Sequence, residues 1–208
     1  MPDRIAPTVV LLVAAATCAI HSCAKTREDE HAQQLATRVR AEFLHAWNNY
    51  ERYAWGHDAL RPLSKIAHDW YGQSLLMTPV DALDTLILMR LDGEAERARS
   101  LIVSDLSFDR DIYVKNFEIT IRLLGGLLSG YELTGDQRLL SLAEDLGNRL
   151  MPAFNSPTGL PYGYVNLHTG QIRDAVTNPA ETGTLLLEFG TLSKLIGNPF
   201  FTRKRNAL

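Results

Sequence analysis

The sequence predicts an all-α fold that is built from repeated helical hairpins, as in an α/α solenoid or toroid. Apolar residues recur at helical spacing in several separate segments. A short Leu-x-Gly pattern occurs at 91–93, 133–135 and 195–197, and each copy ends one apolar helix and precedes another. Glycine is the usual residue at a helix C-cap, and helical pairs repeated in this way are typical of stacked hairpins. Periodicity alone also fits a plain helical bundle.

Composition narrows the class of protein. The chain has 208 residues, of which 46% are apolar and 22% charged, so it is long enough for one or two domains and is not disordered throughout. A net charge of −3 offers no basic excess, so we expect no nucleic-acid partner. The two cysteines, Cys18 and Cys23, lie near the N-terminus, which excludes a disulfide scaffold, a thiolate zinc site and a cysteine nucleophile from residue 24 onward.

The N-terminal segment is typical of an export signal. Residues 5–20 are almost wholly apolar and follow Arg4, a run that is short for a membrane span and suits the core of a signal peptide. Small residues precede Cys23 as they do at a bacterial lipoprotein cleavage site. We therefore predict a signal peptide over residues 1–23, with Cys23 as a lipidation candidate, and either a lipoprotein of the cell envelope or periplasm or a secreted protein. An uncleaved membrane anchor is the alternative, because His21 is atypical of a lipoprotein site.

The first helices follow from spacing and caps. Residues 24–34 are predicted to be a charged linker that runs into a helix, where apolar residues recur from Leu35 to Tyr50. A toroid domain is predicted over 35–208. The next helix is expected to start at Thr78-Pro79 with Asp81 in its first turn, and to end near Gly93. The remaining predictions are a return helix over 94–104, a long apolar helix over 116–133, a return helix over 137–151, a loop over 154–179 with a small hairpin within 162–172, and a helix over 180–196.

Carboxylates lie near the start of several apolar helices, namely Asp81, Asp84, Glu118 and Glu181. Stabilisation by the helix dipole is a sufficient structural explanation for such acids. Glu118, however, stands between Phe117 and a nearly continuous apolar stretch, so we expect it to be half-buried, and burial raises a carboxyl pKa as a general acid requires. Arg122 lies four residues later on the same helix face and can pair with Glu118. That pair fits a structural ion pair as well as it fits a site.

Five segments in order carry a family resemblance: HAWNNYERYAWGHDALRPLS (45–64), VDALDTLILM (80–89), NFEITIRLLGGLLSGYELTGD (116–136), AEDLGNRLMPAFNSPTGLPYGYVNLHTG (143–170) and AETGTLLLEFGTLSKLIGNPFF (180–201). From about Ala41 to Phe201 the chain resembles glycoside hydrolase family 47, the class I α-1,2-mannosidases. The resemblance implies an (α/α)7 toroid and a Ca²⁺-dependent, inverting exo-mannosidase. Its substrate would be the terminal α-1,2-linked mannose of an oligosaccharide or N-glycan.

The resemblance also implies roles for single residues. Glu118 matches the family glutamate on the acid side of the glycosidic oxygen, which acts through water. The substrate-binding positions are Arg122, which matches the arginine that contacts this glutamate and the sugar, Glu181 in the A-E-x-G-T motif, Asp84 in DALDT and Asp58 in WGHD.

The resemblance further implies that part of the toroid lies outside the matched residues. An inverting glycosidase needs a second carboxylate to activate water, and the family places that group and its calcium ligand further along the chain. After Phe201 the tail no longer follows the family. We therefore expect an incomplete toroid with an uncovered apolar flank, no calcium ligand in this chain, and no activity of the chain by itself. A non-catalytic glycan- or partner-binding half-toroid on a membrane anchor and a decayed gene fragment are the alternatives.

Overall fold

The computed structural model describes residues 7–199 and residue 201, with side chains from Asp29 onward. The chain divides into two compact units, residues 1–48 and 49–208. The elements in chain order are α1 (Pro7–Ala54), β1 (Ala59–Arg61), β2 (Ile66–His68), α2 (Met77–Leu88), α3 (Asp92–Asp105), β3 (Tyr113–Lys115), α4 (Asn116–Ile119), a π-helical turn (Thr120–Leu124), α5 (Gly125–Thr134), α6 (Gln137–Leu150), a 3-10 turn (Met151–Phe154), β4 (Tyr164–Asn166), β5 (Ile172–Arg173) and α7 (Pro179–Ile196).

Residues 24–34, which were predicted to be a charged linker that runs into a helix, are helical themselves and lie within α1. They are mostly Ala, Lys, Arg, Glu and Gln, with neither Gly nor Pro, and these are strong helix formers that need no tertiary support to favour the helix. Residues 29–42 are all exposed, including Leu35 and Val39. The change from linker to domain that composition predicts at residue 34 is therefore not a break in secondary structure.

The predicted leader falls outside the described side chains. Residues 1–23, with the lipidation candidate Cys23, precede Asp29, so the leader stays a prediction. The tail at 202–208 also lies outside the described residues. In the part of the chain that the structure describes, no helix combines the length and the apolar composition that crossing a membrane requires.

The predicted hairpins are present. α2 packs on α3 and on α5, and α5 packs on α6, so successive helices cover one another's apolar faces. Gly135 and Gly197 have left-handed backbones, with φ of 72° and 67°, and end α5 and α7 as predicted. The third glycine prediction is wrong, because Gly93 lies inside α3.

Arg90 ends α2 in place of a glycine, with φ of 56°. The Arg90 N–H donates to Ile87 O at 3.0 Å and the Leu91 N–H donates to Leu86 O at 2.9 Å. These two bonds make a Schellman motif, which satisfies the last carbonyls of the helix. The predicted helix end is therefore too late by several residues, and α3 begins at Asp92 instead, which is an acid in its first turn.

The start of α2 also differs from the local prediction. Leu76, with φ of 53°, precedes the helix, and Thr78 is already inside it, so Thr78 is not the N-cap and Asp81 is not in the first turn. Thr78 Oγ1 instead donates to the backbone carbonyl of Asp58 at 2.6 Å. The first N–H groups of this helix are capped by one distant residue, because the Met77 N–H donates to Asp58 Oδ1 and the Thr78 N–H donates to Asp58 O, both at 3.1 Å. The Thr-Pro pattern does not show this cap.

Two small sheets accompany the helices. The hairpin predicted within 162–172 is present as β4 and β5, with Val165 opposite Ile172. β3 adds a third antiparallel strand, with Val114 opposite Val165, and β1 and β2 form a separate hairpin. These additions were not predicted, because a three-residue strand is too short to show alternation.

The long helix predicted over 116–133 is continuous but not uniform. Its middle is the π-helical turn, in which hydrogen bonds span one residue more than in an α-helix. Such turns occur mostly as single bulges inside α-helices and frequently at functional sites. Arg122 lies in the centre of this turn, which therefore changes the direction in which its side chain leaves the helix.

The second unit has an uncovered apolar surface on α7. Leu187 is 73% exposed and Leu186 is 38% exposed, and the neighbouring Gly183 and Thr184 are exposed as well. These residues form an exposed apolar patch on α7.

Close approach of α5 to α2 depends on Gly126. A Cβ atom at Gly126 would lie 2.8 Å from Val80 Cγ1 and 2.9 Å from Val80 O, whereas a Cβ at Gly125 would meet its nearest atom, Glu188 Cγ, at 3.6 Å. Because backbone cannot move aside cheaply, we expect Gly126→Ala to lower the free energy of unfolding by about 1–3 kcal/mol in spite of its better helix propensity. Urea unfolding measures this, and Gly125→Ala is the matched control, expected to be neutral or stabilising. Equal effects of the two substitutions would contradict the close packing of α5 on α2.

Candidate active site

Arg122 joins two carboxylates from different helices. Its Nε donates to Glu118 Oε2 at 3.0 Å, one helical turn earlier, and its Nη1 donates to Asp81 Oδ2 of α2 at 3.0 Å. The Glu118–Arg122 pair is the one that the i,i+4 spacing predicts. Asp81 was expected as a helix-start acid, and its contact with Arg122 depends on the packing of α2 against the π-helical turn.

The three side chains are each about one-third exposed, so their charges interact more strongly than they would in bulk water. Burial raises the pKa of Asp81, with smaller contributions from the nearby charges of Asp84 and Glu118, although the hydrogen bond from Arg122 opposes the shift. Burial by itself would lower the pKa of Arg122, but its hydrogen bonds to Glu118 and Asp81 outweigh that effect and raise it. Arg122 is thus held as a cation, and Asp81 is the carboxyl group that takes up a proton more readily than usual.

Two aromatic residues line the same region. The Arg122 guanidinium lies over the Trp70 indole, 5.0 Å from the ring centroid, which is within the range of a cation–π contact. The hydroxyl group of Tyr71 accepts a hydrogen bond from the Lys115 N–H at 3.3 Å. Burial raises the pKa of Tyr71, and the negative charge of Glu118 adds to this shift. The phenol therefore stays neutral beside the carboxylates.

Glu181 and Lys115 form a second ion pair. Lys115 Nζ donates to Glu181 Oε1 at 2.7 Å, and Asn178 caps α7 by accepting from the Glu181 N–H at 2.9 Å. The hydrogen bond to Glu181 raises the pKa of Lys115, and the charge of Glu118 contributes to that shift. Lys115 therefore lies within electrostatic range of both predicted site glutamates, at the end of β3 and directly before α4.

The two predicted aspartates have different surroundings. Asp84, one turn after Asp81 on α2, accepts a hydrogen bond from Ser129 Oγ at 2.9 Å. It lies close enough to Asp81 for their charges to interact. Asp58 is 1% exposed, and its side chain accepts bonds from backbone N–H groups, so in this structure it is not open to a sugar. The predicted substrate-binding role of Asp58 therefore finds no support in its position.

Comparison with known proteins assigns the family. The model of glycosyl hydrolase family 47 matches residues 42–208. The match includes the tail after Phe201, so the prediction that this tail departs from the family is wrong. The chain belongs to glycosyl hydrolase family 47. Its curated relatives include mannosyl-oligosaccharide 1,2-alpha-mannosidase MNS1 of Arabidopsis thaliana, which is 43% identical over 185 residues, 85% of this chain and 32% of the relative. The endoplasmic reticulum mannosyl-oligosaccharide 1,2-alpha-mannosidase of Rattus norvegicus is 47% identical over 159 residues, 74% of this chain and 24% of the relative.

A solved structure agrees with this assignment. The alpha-1,2-mannosidase from Trichoderma reesei superposes with a TM-score of 0.75 at 33% identity, over 83% of this chain and 39% of that chain. The α/α toroid architecture predicted from the sequence is thereby confirmed, in preference to a plain bundle. The family 47 chain described here spans about a quarter to a third of the length of the curated relatives that it matches.

The family 47 chain shows no metal centre among its described residues. Within the described ranges, no group of three His, Cys, Asp or Glu side chains is close enough to hold a metal ion.

Asp81, Lys115 and Trp70 are site residues that the sequence analysis did not select. The i,i+3 spacing of Asp81 and Asp84 on one helix face is a signal that could have identified Asp81. Nothing local could have identified Lys115, because it reaches the site through a contact between distant segments. An aromatic residue such as Trp70 can stack on a sugar, but core packing is the commoner role, and the contact of Trp70 with Arg122 also joins distant segments.

Glu188 is a further acid that sequence reasoning missed. It lies on α7, and its Oε2 is buried without a hydrogen-bond partner among the described residues. Burial raises the pKa of this carboxyl group. A carboxylate with one oxygen buried and unpaired destabilises the fold when it is ionised.

We expect Glu188→Gln to make stability less dependent on pH. The native state binds the Glu188 proton more tightly than the unfolded state, so ionisation of Glu188 lowers the free energy of unfolding as pH rises through the range just above its ordinary pKa. The variant and the parent should be equally stable below that range, and the variant should be the more stable at neutral pH. Urea unfolding across pH measures this, with the exposed Glu144→Gln as control. A difference that does not change with pH would contradict the assignment.

Proposed function

We propose that the protein containing this chain is an exo-acting α-1,2-mannosidase that removes terminal α-1,2-linked mannose from oligosaccharides, N-glycans included. The observation that carries the proposal is the Glu118–Arg122–Asp81 arrangement in a chain of glycosyl hydrolase family 47. Relatives named as mannosyl-oligosaccharide 1,2-alpha-mannosidases support the same substrate class.

In this proposal Glu118 supplies a proton to the glycosidic oxygen. Arg122 engages Oε2 of Glu118, and Oε1 accepts no hydrogen bond from the described residues. Oε1 is therefore available to pass a proton to the leaving oxygen, which the family resemblance routes through a water molecule. General acid catalysis of this kind contributes about 10²–10⁴ in rate.

The cations of the site orient its acids and bind hydroxyl groups. Arg122 has five N–H donors in a planar fork, and its contacts with Glu118 and Asp81 leave donors for a sugar. Lys115 holds Glu181 at the start of α7, so we propose that Glu181 accepts hydrogen bonds from mannose hydroxyl groups at a fixed position. Asp84 is proposed to bind the sugar from α2, one turn after Asp81.

Inversion requires a second carboxylate, about 6.5–9.5 Å from the acid, to activate water. We assign that base to no residue of this chain, which covers 39% of the solved mannosidase that it resembles. The family resemblance implies dependence on Ca²⁺, a hard cation that takes oxygen ligands.

Hydrolysis of α-1,2-mannobiose by the intact protein tests the proposal. Proton NMR of the reaction should show β-mannose as the first product, because the reaction inverts the anomeric centre. Glu118→Gln should lower kcat by about 10²–10⁴, because the amide cannot supply the proton. The control is Glu144→Gln, an exposed glutamate of α6, which should leave kcat unchanged. Release of α-mannose first, or a fully active Glu118→Gln protein, would overturn the assignment.

We also propose that the protein is exported, on the basis of the apolar segment at 5–20 and the small residues before Cys23. Mass spectrometry of the protein isolated from its own cells should find an N-terminus at Cys23 that carries lipid, because lipoprotein processing cleaves before the modified cysteine. An intact Met1 would contradict cleavage and favour the uncleaved anchor, and an unmodified new N-terminus would favour simple secretion.

A further inference from the structure

We infer that Trp70 is a positioning residue for Arg122, and that the buried carboxylate of Asp58 holds Trp70 and Asp81 in place together. The catalytic meaning of this inference rests on the proposed function, whereas the contacts themselves do not.

The first step is the contact between Trp70 and Arg122. Two ion pairs on a flexible, partly exposed arginine restrict it only weakly, because exposed pairs are screened by water. Arg122 is 37% exposed and makes such pairs with Glu118 and Asp81. The Trp70 indole adds a flat surface 5.0 Å from the guanidinium carbon. A planar cation over a ring has fewer accessible orientations, so Trp70 keeps the donor fork of Arg122 pointing at its two carboxylates.

The second step is the attachment of Trp70 to Asp58. The Trp70 N–H donates to Asp58 Oδ2 at 3.1 Å. The Asp58 N–H in turn donates to Asp69 Oδ1 at 3.0 Å, so the residue before Trp70 is tied to the same point. With a side chain that is 39% exposed, Trp70 owes its position to these backbone bonds rather than to burial in the core.

The third step connects Asp58 with Asp81. Asp58 Oδ1 accepts the Leu75 N–H at 2.6 Å and the Met77 N–H at 3.1 Å. Met77 is the first residue of α2, and Asp81 lies one turn further along this helix. One carboxylate thus fixes both ends of the segment 70–77. Two of the groups that hold Arg122, the Trp70 ring and the Asp81 carboxylate, depend on it.

The arrangement explains why Asp58 is placed next to the site without contacting it. A buried carboxylate must be satisfied by hydrogen bonds. Backbone N–H groups donate these bonds to the buried Asp58. The consequence for the proposed reaction is geometric, since a misplacement of about 1 Å in a positioning group can cost about 10² in rate.

The test measures Arg122 directly in the 208-residue chain. In a ¹⁵N-labelled sample the Arg122 Nε–Hε signal, assigned by its loss in Arg122→Lys, reports how long the hydrogen bond to Glu118 stays closed. We expect Trp70→Leu to speed exchange of this hydrogen with water by about five- to tenfold, as the loss of a partly buried cation–π contact implies. Trp70→Phe keeps a ring and should change the rate less than about twofold.

Two further variants keep the outcome decisive. Asn has the same size as Asp but replaces one acceptor oxygen with an NH₂ group. Asp58→Asn should therefore speed exchange of the Arg122 hydrogen with water, as Trp70→Leu does. Tyr53→Leu is the matched control, because Tyr53 also contacts cations, Arg52 and Lys65, through its ring. It should leave the Arg122 signal unchanged.

Unchanged Arg122 exchange in Trp70→Leu, or an equal increase in Tyr53→Leu, would overturn the inference. If Trp70→Leu loses helical circular dichroism, Trp70→Phe and Asp58→Asn decide the test instead. Of these two variants, only Asp58→Asn should speed exchange of the Arg122 hydrogen. The readout does not require hydrolysis. An intact protein inactive on α-1,2-mannobiose would refute the proposed function and leave the positioning role standing.

Discussion

The candidate site depends on the hydrogen bonds of one buried carboxylate, Asp58. Asp58 accepts backbone N–H groups from Trp70, Leu75 and Met77, and so fixes a segment that has little regular structure of its own. Removing an acceptor of this kind leaves several buried donors unsatisfied, each at a cost of about 1–3 kcal/mol. The start of α2, and through it the position of Asp81 beside Arg122, depends on this one side chain.

The helix-dipole explanation of the acids holds for some of them and not for others. Glu118 and Glu181 do lie in the first turns of α4 and α7, where the dipole stabilises a negative charge. Asp81 lies beyond the first turn of α2, and burial raises its pKa rather than lowering it. A partly desolvated acid beside a shared arginine is more typical of a functional cluster than of a cap. The family assignment agrees with this interpretation.

Local sequence signals predicted the helices, the C-caps at Gly135 and Gly197 and the Glu118–Arg122 pair, because each depends on residues within a few positions of one another. They failed at Arg90, where a Schellman motif closes without glycine, and at Thr78, where a distant residue supplies the cap. Neither the role of Asp58 nor the contact of Trp70 could be predicted, since both join segments that lie far apart in the chain. The π-helical turn was missed because its apolar pattern resembles that of an α-helix.

We propose that Arg122, held between Glu118 and Asp81, forms the sugar-binding centre of an α-1,2-mannosidase site. A crystal structure of the intact protein with bound α-1,2-mannobiose would show this centre. We expect the glycosidic oxygen to lie within hydrogen-bond reach of Glu118 or of a water on Glu118, with Arg122 still paired to both carboxylates. A disaccharide bound away from Glu118, with Arg122 no longer paired to Glu118 and Asp81, would refute the proposed role of Arg122.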